Sequence, residues 1–191
     1  MKLNEIRQPN QFLTGRVDIE NWLHLQSIKN FTIDSNGVVD VNDNVLIQSR
    51  MRSLPIQFGT VTGNFYCEEV DLYTLKGAPH TVGKVFSCSY NLNLRSLEYA
   101  PSNTESFHSY STDIISLHNI HKTVKSISRK FIGNHEISSS VLGLLLIKNL
   151  DEVDINYEVD HILNKYLADS RDIHACQEEL IQAGFAEHAK L

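Results

Sequence analysis

The fold is decided by a pattern that occurs twice, first as Val-Thr-Gly-Asn-Phe-Tyr-Cys at residues 61–67 and again as Val-Gly-Lys-Val-Phe-Ser-Cys at residues 82–88. In both copies Phe follows Val by four positions and Cys follows it by six. Leucines and an Ala-Pro pair come after each copy, so the similarity extends beyond these seven residues. Such self-similarity indicates a repeat protein, in which each repeat is one structural unit.

The repeat extends in both directions from these two copies. Counted from the Phe position, five anchors follow one another at intervals of 20, 21, 21 and 20 residues. A period near 21 is typical of leucine-rich-repeat solenoids, and alternating apolar residues followed by leucines three apart predict a short strand and then an irregular arc. Because one repeat cannot bury its apolar side chains alone, we expect the strands to stack in parallel. The predicted anchors are Val45, Phe65, Phe86, Phe107 and Ile127.

One inward-facing position of the repeat holds small or aliphatic residues. Cys67 and Cys88 occupy it in the two clear copies, with Ile47 before them and Ser109 after them. Arg129 takes this position in the last copy, which indicates that the stack ends there. Three cysteines in 191 residues are too few for a disulfide framework. We therefore expect buried, reduced thiols and a reducing compartment.

The segments on either side of the repeats are predicted to be caps, which a solenoid needs to cover its open ends. A helix is expected near 18–28, Asn36-Gly37 is typical of a β-hairpin, and two amphipathic helices are expected between 157 and 184. The predicted fold class is thus an α+β solenoid, a short leucine-rich-repeat-like parallel β stack with an N-terminal helix and hairpin and a C-terminal helical cap. The predicted boundaries are a mobile arm at 1–16, an N-terminal cap at 17–40, the repeat solenoid at 41–155 and a C-terminal helical cap at 156–191, around one continuous core.

Composition and charge argue against several classes of partner. The net charge is −6, and residues 151–191 carry ten acidic and three basic side chains, so no basic surface for a nucleic-acid backbone is expected. The longest run of apolar residues and glycine, 141–147, is too short to cross a bilayer. The first five residues lack the apolar segment of a secretory signal. We expect no nucleic-acid partner, no membrane partner and a cytoplasmic location.

The residue types that carry chemistry do not form a recognisable site. His118, His121 and His135 are the tightest group of histidines, but the first two fall in a turn that we expect to face solvent. Cys176 lies on a predicted helix, where packing is its ordinary role. Acidic residues at 151–158 come at the start of a helix, where the helix dipole alone favours them. We predict no catalytic residue, no metal site, no cofactor and no enzymatic activity.

A resemblance to a known family is carried by residues 77–91, Gly-Ala-Pro-His-Thr-Val-Gly-Lys-Val-Phe-Ser-Cys-Ser-Tyr-Asn. This stretch, with residues 116–122, 141–147 and 176–185, is similar to the degenerate leucine-rich-repeat proteins encoded by tailed bacteriophages. The chain departs from that pattern at Glu68-Glu69, where the family has Ser-x-Asn after the cysteine, and in its third copy, which lacks Gly and Ala-Pro. The resemblance implies a bacteriophage protein that serves as an interaction scaffold, and it implies no reaction.

Strand alternation places every second side chain outside, so an outward column is expected to cross the stack. This column is the predicted partner-binding surface, because tyrosine is frequent among interface hot spots. The acidic C-terminal helices, with Glu178 and Glu179, are the competing surface. The predicted column consists of Leu46, Tyr66, Ser87, His108 and Ser128, flanked by Asn64, Glu68, Val85, Ser89, Ser106 and Tyr110.

These observations predict a protein–protein interaction module that binds and modulates a host protein during bacteriophage infection, in the cytoplasm of the host cell. Host takeover and anti-defence are the roles expected of such a module. Two alternatives stay open. A virion or assembly component would self-associate symmetrically, and an enzyme of nucleotide or signal metabolism would need a polar pocket with convergent acids or histidines.

Overall fold

The computed structural model describes residues 12–191, and the chain is an α+β solenoid capped by helices. Residues 1–11 of the predicted arm at 1–16 lie outside the described residues. Within the described part, the strands form one sheet in which all pairs are parallel except β1 with β2. The strands are β1 (Phe31–Ile33), β2 (Val38–Val41), β3 (Val45–Leu46), β4 (Gln57–Val61), β5 (Phe65–Tyr66), β6 (Thr81–Val82), β7 (Val85–Ser87), β8 (Asn103–His108), β9 (Ser126–Ile132) and β10 (Glu152–Asp154). The helices are α1 (Arg16–Leu25), α2 (Ile120–Thr123), α3 (Tyr157–Ala168), α4 (Ile173–Gln182) and a 3₁₀-helix at Leu142–Leu146.

Each turn of the solenoid contributes two strand segments separated by a corner, so the sheet consists of two parallel rows. The first row contains β2, β4, β6 and the N-terminal parts of β8 and β9. The second row contains β3, β5, β7, the C-terminal parts of β8 and β9, and β10. The predicted single strand per repeat is therefore two segments, because Val61 ends a first-row strand and Phe65 begins a second-row strand.

Glycines stand at the corner because neighbouring turns come too close there for a side chain. A Cβ added to Gly83 would overlap the backbone oxygen of Thr62, and one added to Gly63 would lie 2.8 Å from the backbone nitrogen of Asn44. Side-chain amides complete the corner, since Asn44 Oδ1 accepts a hydrogen bond from the backbone N–H of Asn64 at 2.8 Å. The glycine of the sequence pattern thus permits the close stacking of successive turns.

A column of phenylalanine rings fills the core behind the second row. Phe65 pairs with Val45 on one side and Phe86 on the other, and the column continues through Phe107 and Phe131. The four rings are fully buried, and successive ring centroids lie 5.8, 5.1 and 5.5 Å apart. Rings at these separations are in contact. The predicted stacking of the first four anchors is confirmed.

The fifth anchor is Phe131, and the prediction of Ile127 is wrong. Ile127 pairs with Thr104 in the first row, whereas Phe131 pairs with Phe107 in the second row. The turn that leads to Phe131 contains α2, and β9 has a bulge between its two parts. Both features lengthen this turn beyond the interval of the earlier repeats, so counting by a fixed period selected the wrong residue.

The inward position next to the phenylalanine column is occupied as predicted in four turns, the first of them by Ile47, which is buried. Cys67, Cys88 and Ser109 are fully buried there, and both cysteines are free thiols. The prediction that Arg129 takes this position and ends the stack is wrong. Gly133 is the residue of β9's turn that aligns with Ser109 at this position. The stack continues beyond β9, because β10 pairs with it in parallel. Arg129 is exposed at the bulge of β9, where its guanidinium donates to a glutamate of the neighbouring turn at 3.0 Å.

The N-terminal cap consists of α1 and the hairpin β1–β2, as the sequence predicted. The hairpin turns at Gly37, whose positive φ of 79° is a conformation that glycine adopts without strain. Helix α1 buries Ile19 and Leu23, and the Trp22 ring packs edge-on against Phe58 with centroids 6.2 Å apart. The cap thereby covers the apolar end of the first turn.

Helices α3 and α4 form the predicted C-terminal cap, and two polar side chains join it to the last turn. Asn164 of α3 takes the place of a neighbouring strand: its Oδ1 accepts from the N–H of Val153 at 2.7 Å, and its Nδ2 donates to the Val153 carbonyl at 2.9 Å. Arg171, between the two helices, donates to the Ile147 carbonyl at 2.6 Å and to two neighbouring carbonyls. These bonds satisfy backbone groups that would otherwise be left unpaired at the end of the solenoid.

Two short helices lie outside the predicted helical regions. Helix α2 forms part of the arc in the fourth turn, and the 3₁₀-helix falls within the apolar run 141–147. Leu142, Leu144 and Leu145 are buried there. An apolar run that is buried on several sides has no strand periodicity, which is why the sequence pattern did not reveal its conformation.

Candidate interaction surface

The outward column of the second row crosses six stacked strand segments, each of which is called a rung. Ser128, predicted as its fifth member, lies at the bulge of β9 instead, so that prediction is wrong. Ile132 is the fifth member of the column, because it pairs with His108. The sequence signal for this position is Phe131, the residue before it, which is a phenylalanine like the preceding anchors but does not follow them at the same interval. The column consists of Leu46, Tyr66, Ser87, His108, Ile132 and Asp154.

The members of this column differ in exposure. Leu46 is 54% exposed, and Tyr66, His108 and Ile132 are partly exposed. Ser87 occupies the column as predicted but is fully buried, and its hydroxyl donates to the carboxylate of Glu68. Ser87 therefore positions Glu68 and offers no contact surface of its own.

His108 is half-buried in the middle of the column. Burial lowers the pKa of its imidazole, the positive charge of Lys130 acts in the same direction, and the carboxylate of Glu68 opposes them. The ring is therefore mainly neutral at pH 7. A neutral, half-buried imidazole adds no positive charge to this surface, and its ring offers a planar contact area.

Tyr110 lies beside the column and forms a pair with Tyr90. Their rings contact edge to face with centroids 4.8 Å apart, and Tyr90 is 42% exposed. A hydrogen bond with Tyr90, with smaller contributions from burial and nearby carboxylates, raises the pKa of Tyr110 to about 12. The Tyr110 phenol therefore stays protonated at neutral pH. The pair extends the aromatic part of the surface toward the loop that follows each second-row strand.

The outward column of the first row has a different chemistry. Its members in register are all polar, and one of them, Ser126, accepts a hydrogen bond from the side chain of Asn149 at 3.1 Å. The column consists of Thr60, Thr81, Asn103 and Ser126. The two rows thus present a polar face and a face with partly exposed aromatic and aliphatic side chains.

The competing residues Glu178 and Glu179 lie on α4 of the C-terminal cap, apart from the strand column in the fold. Glu179 is held in place, because its carboxylate accepts from Lys165 Nζ at 2.6 Å and from the Tyr166 hydroxyl at 2.7 Å. These hydrogen bonds lower the pKa of Glu179. Glu178 is exposed. Glu178 is thus the more accessible of the two carboxylates.

The remaining candidate groups differ in their partners, since His121 Nδ1 is buried and has no hydrogen-bond partner among the described residues. His118 Nδ1 lies 2.6 Å from the carbonyl oxygen of Leu191, and its Nε2 lies 2.7 Å from the side-chain nitrogen of Asn119. Cys176 is buried, and burial raises the pKa of its thiol to about 12. Across residues 12–191, no three His, Cys, Asp or Glu side chains are grouped so that they could hold a metal ion.

Comparison of the chain with protein-family models, with curated proteins and with solved structures finds no match. In the part of the chain that the structure describes, no helix is both long enough and apolar enough to span a membrane.

Proposed function

We propose that this chain is a protein–protein interaction module that binds a partner protein through the outward face of its second row. The observation that carries the proposal is the contrast between the two outward columns. The first-row column of Thr60, Thr81, Asn103 and Ser126 is polar, whereas the second-row column places four apolar or aromatic-ring side chains on one partly exposed surface: Leu46, Tyr66, His108 and Ile132. Apolar and aromatic side chains gathered on one surface are typical of interaction sites.

The finer proposal is that the partner is a host protein and that the chain is a leucine-rich-repeat-like bacteriophage protein acting in the host cytoplasm. Its support is the resemblance of residues 77–91 to the repeats of tailed-phage proteins. A solenoid suits this role, because its stacked repeats provide an extended and rigid surface. Binding there would modulate the host protein during infection.

Site-specific cross-linking tests the proposed surface. The photoreactive amino acid p-benzoylphenylalanine is placed at Tyr66 of the second row, or at Thr81 of the first row as a matched control. After irradiation in lysate of infected host cells, we expect a defined cross-linked protein from position 66 and none from position 81. The same cross-link from both positions, or only from position 81, would contradict the proposal.

A further inference from the structure

Two tyrosine rings and two carboxylates lie together at the end of the second row. Tyr90 and Tyr110 form the edge-to-face pair with ring centroids 4.8 Å apart. Tyr66 and His108 are in register two rungs apart. Glu68 and Tyr110 each follow one of them by two residues, so Glu68 and Tyr110 also occupy corresponding positions two rungs apart. Only Ser89, which is fully buried, stands between those two positions. Glu69 follows directly and is exposed.

The contacts of Glu68 fix the direction of its side chain. Its carboxylate accepts the hydroxyl of Ser87, so it extends along the stack to the next rung, on which Tyr90 also lies three residues further along the chain. The charges of both Glu68 and Glu69 contribute to the raised pKa of Tyr110, which is consistent with their proximity to its phenol. Backbone hydrogen bonds from Glu69 to Ser89 and from Tyr90 to Tyr110 place the four residues at neighbouring positions on three adjacent rungs, and they are called the tyrosine–glutamate cluster here.

No cation of the described chain neutralises this cluster. Among the ion pairs of residues 12–191, none includes Glu68 or Glu69. Lys130, whose charge reaches His108, is itself bound by Glu152 at 2.8 Å and by Asp154 at 3.1 Å.

Two other basic side chains near the cluster, Arg50 and His108, do not form ion pairs with its carboxylates. Arg50 pairs with Asp71 at 3.5 Å, two residues beyond Glu69. The imidazole of His108 is mainly neutral at pH 7, because burial lowers its pKa. Within residues 12–191, the cluster thus presents two carboxylates without an ion-pair partner beside two aromatic rings.

We propose that this tyrosine–glutamate cluster binds an arginine side chain of the partner protein. A guanidinium is planar, so it stacks on an aromatic ring while its N–H groups donate to carboxylates. The compact ammonium of lysine satisfies the carboxylates but gains less from the rings. This inference rests on the proposed function, since it assigns a chemical partner to one part of the same surface.

The test is a titration of uniformly ¹⁵N-labelled full-length protein with a tripeptide, acetyl-Ala-Arg-Ala-amide, followed by amide chemical shifts. The control peptide carries citrulline, which has the shape of arginine without its charge. We expect saturable shifts at residues 68, 69, 90 and 110 with the arginine peptide, at least tenfold weaker binding of the citrulline peptide, and an intermediate affinity for a lysine peptide. Equal shifts with arginine and citrulline, or shifts confined to α4, would overturn the inference.

Variants separate the cluster from the general negative charge of the chain. Glu68→Gln with Glu69→Gln should weaken binding of the arginine peptide at least tenfold, and the amide introduced at position 68 keeps an oxygen that can accept the Ser87 hydroxyl. Glu178→Gln removes an exposed charge on α4 and should leave binding unchanged. Tyr90→Leu should weaken arginine binding more than lysine binding, because it removes the ring and keeps an apolar side chain. Equal effects of Glu178→Gln and the Glu68/Glu69 variant would overturn the inference.

Failure of this inference can be told from failure of the proposed function. If Tyr66→Ala with His108→Ala abolishes cross-linking to the partner while the Glu68/Glu69 variant cross-links normally, the arginine site is wrong and the strand surface stands. The cross-linker for this comparison is placed at Leu46, which neither variant changes. If neither variant affects the partner, both proposals are wrong.

Discussion

The rings of Phe65 and Phe86 stack one rung apart, with centroids separated by 5.8 Å and ring planes inclined by only 13°. Phe107 and Phe131 repeat this arrangement at 5.5 Å and 25°. Each ring fills space between two turns, so the stability of one repeat depends on its neighbours.

Removal of one ring should destabilise the whole solenoid. We expect Phe86→Ala to lower the free energy of unfolding by about 3–5 kcal/mol, because the ring is fully buried between Phe65 and Phe107. Denaturant unfolding followed by circular dichroism measures the change. Thr81→Ala, in the outward column of the first row, is the control and should change stability by less than about 1 kcal/mol. Similar losses in the two variants would contradict the stacked core.

The three thiols should be unreactive in the folded protein. Cys67 and Cys88 are fully buried, and burial raises the pKa of both, while the pKa of Cys176 is raised to about 12. Because the thiolate is the reactive form, labelling with a thiol reagent at pH 8 should follow unfolding only. Protein unfolded in guanidinium should take up three labels. Rapid labelling of Cys67 or Cys88 under native conditions would refute their placement.

Ser109 is a site where a single substitution should stabilise the chain. Its hydroxyl is buried with no hydrogen-bond partner among the described residues. In the two preceding turns the corresponding Cys67 and Cys88 thiols donate to carbonyl oxygens at 3.3 and 3.6 Å. We expect Ser109→Cys to raise the free energy of unfolding by about 1 kcal/mol, since a buried unpaired hydroxyl costs more than a buried thiol.

The reciprocal change provides the control for this substitution. Cys88→Ser places a hydroxyl in the same kind of position and should lower stability in a parallel denaturant experiment. A stability loss in Ser109→Cys would mean that the hydroxyl has a role that the structure does not show.

Asn164 should be required to protect the edge of β10. Asn164→Leu removes the side-chain partners of the Val153 N–H and carbonyl, and each unpaired group costs about 1–3 kcal/mol if it stays buried. An uncovered strand edge also favours association with another copy of the chain. We expect a lower midpoint of unfolding and a larger mass by light scattering than for the unchanged protein. A variant with unchanged stability and mass would show that Asn164 does not cover the edge.

Much of the fold could be predicted because phenylalanine residues recur at a constant interval in the central turns. Phe65, Phe86 and Phe107 are spaced by 21 residues, and the structure stacks them in register. The prediction went wrong at Ile127, where α2 and a bulge add residues to the turn. Burial selects the side chain that fills the column, here Phe131, and not the residue at a fixed count.

The interaction surface was predictable only in part, for the same reason. Leu46, Tyr66 and His108 lie in the column that the alternation predicted, but Ser128 belongs to the bulge. The alternation of inward and outward side chains also cannot show that the Glu68 carboxylate accepts a hydrogen bond from the Ser87 hydroxyl, because this bond joins two different turns. Side chains that reach between turns are set by packing and not by local sequence.

The central claim is that a partner binds the outward column of the second row. Its most direct measurement is the affinity of the captured partner for Tyr66→Ala with His108→Ala, compared with Glu178→Lys and Glu179→Lys on the cap. Tyr66 and His108 lie two rungs apart, about 10 Å, so one partner element can contact both. We expect the strand variant to weaken binding by more than about 2 kcal/mol, the cap variant to bind as the unchanged protein does, and the effect of Tyr66 to persist at high salt. Normal binding by the strand variant, with loss in the cap variant, would contradict the claim and assign function to the acidic cap.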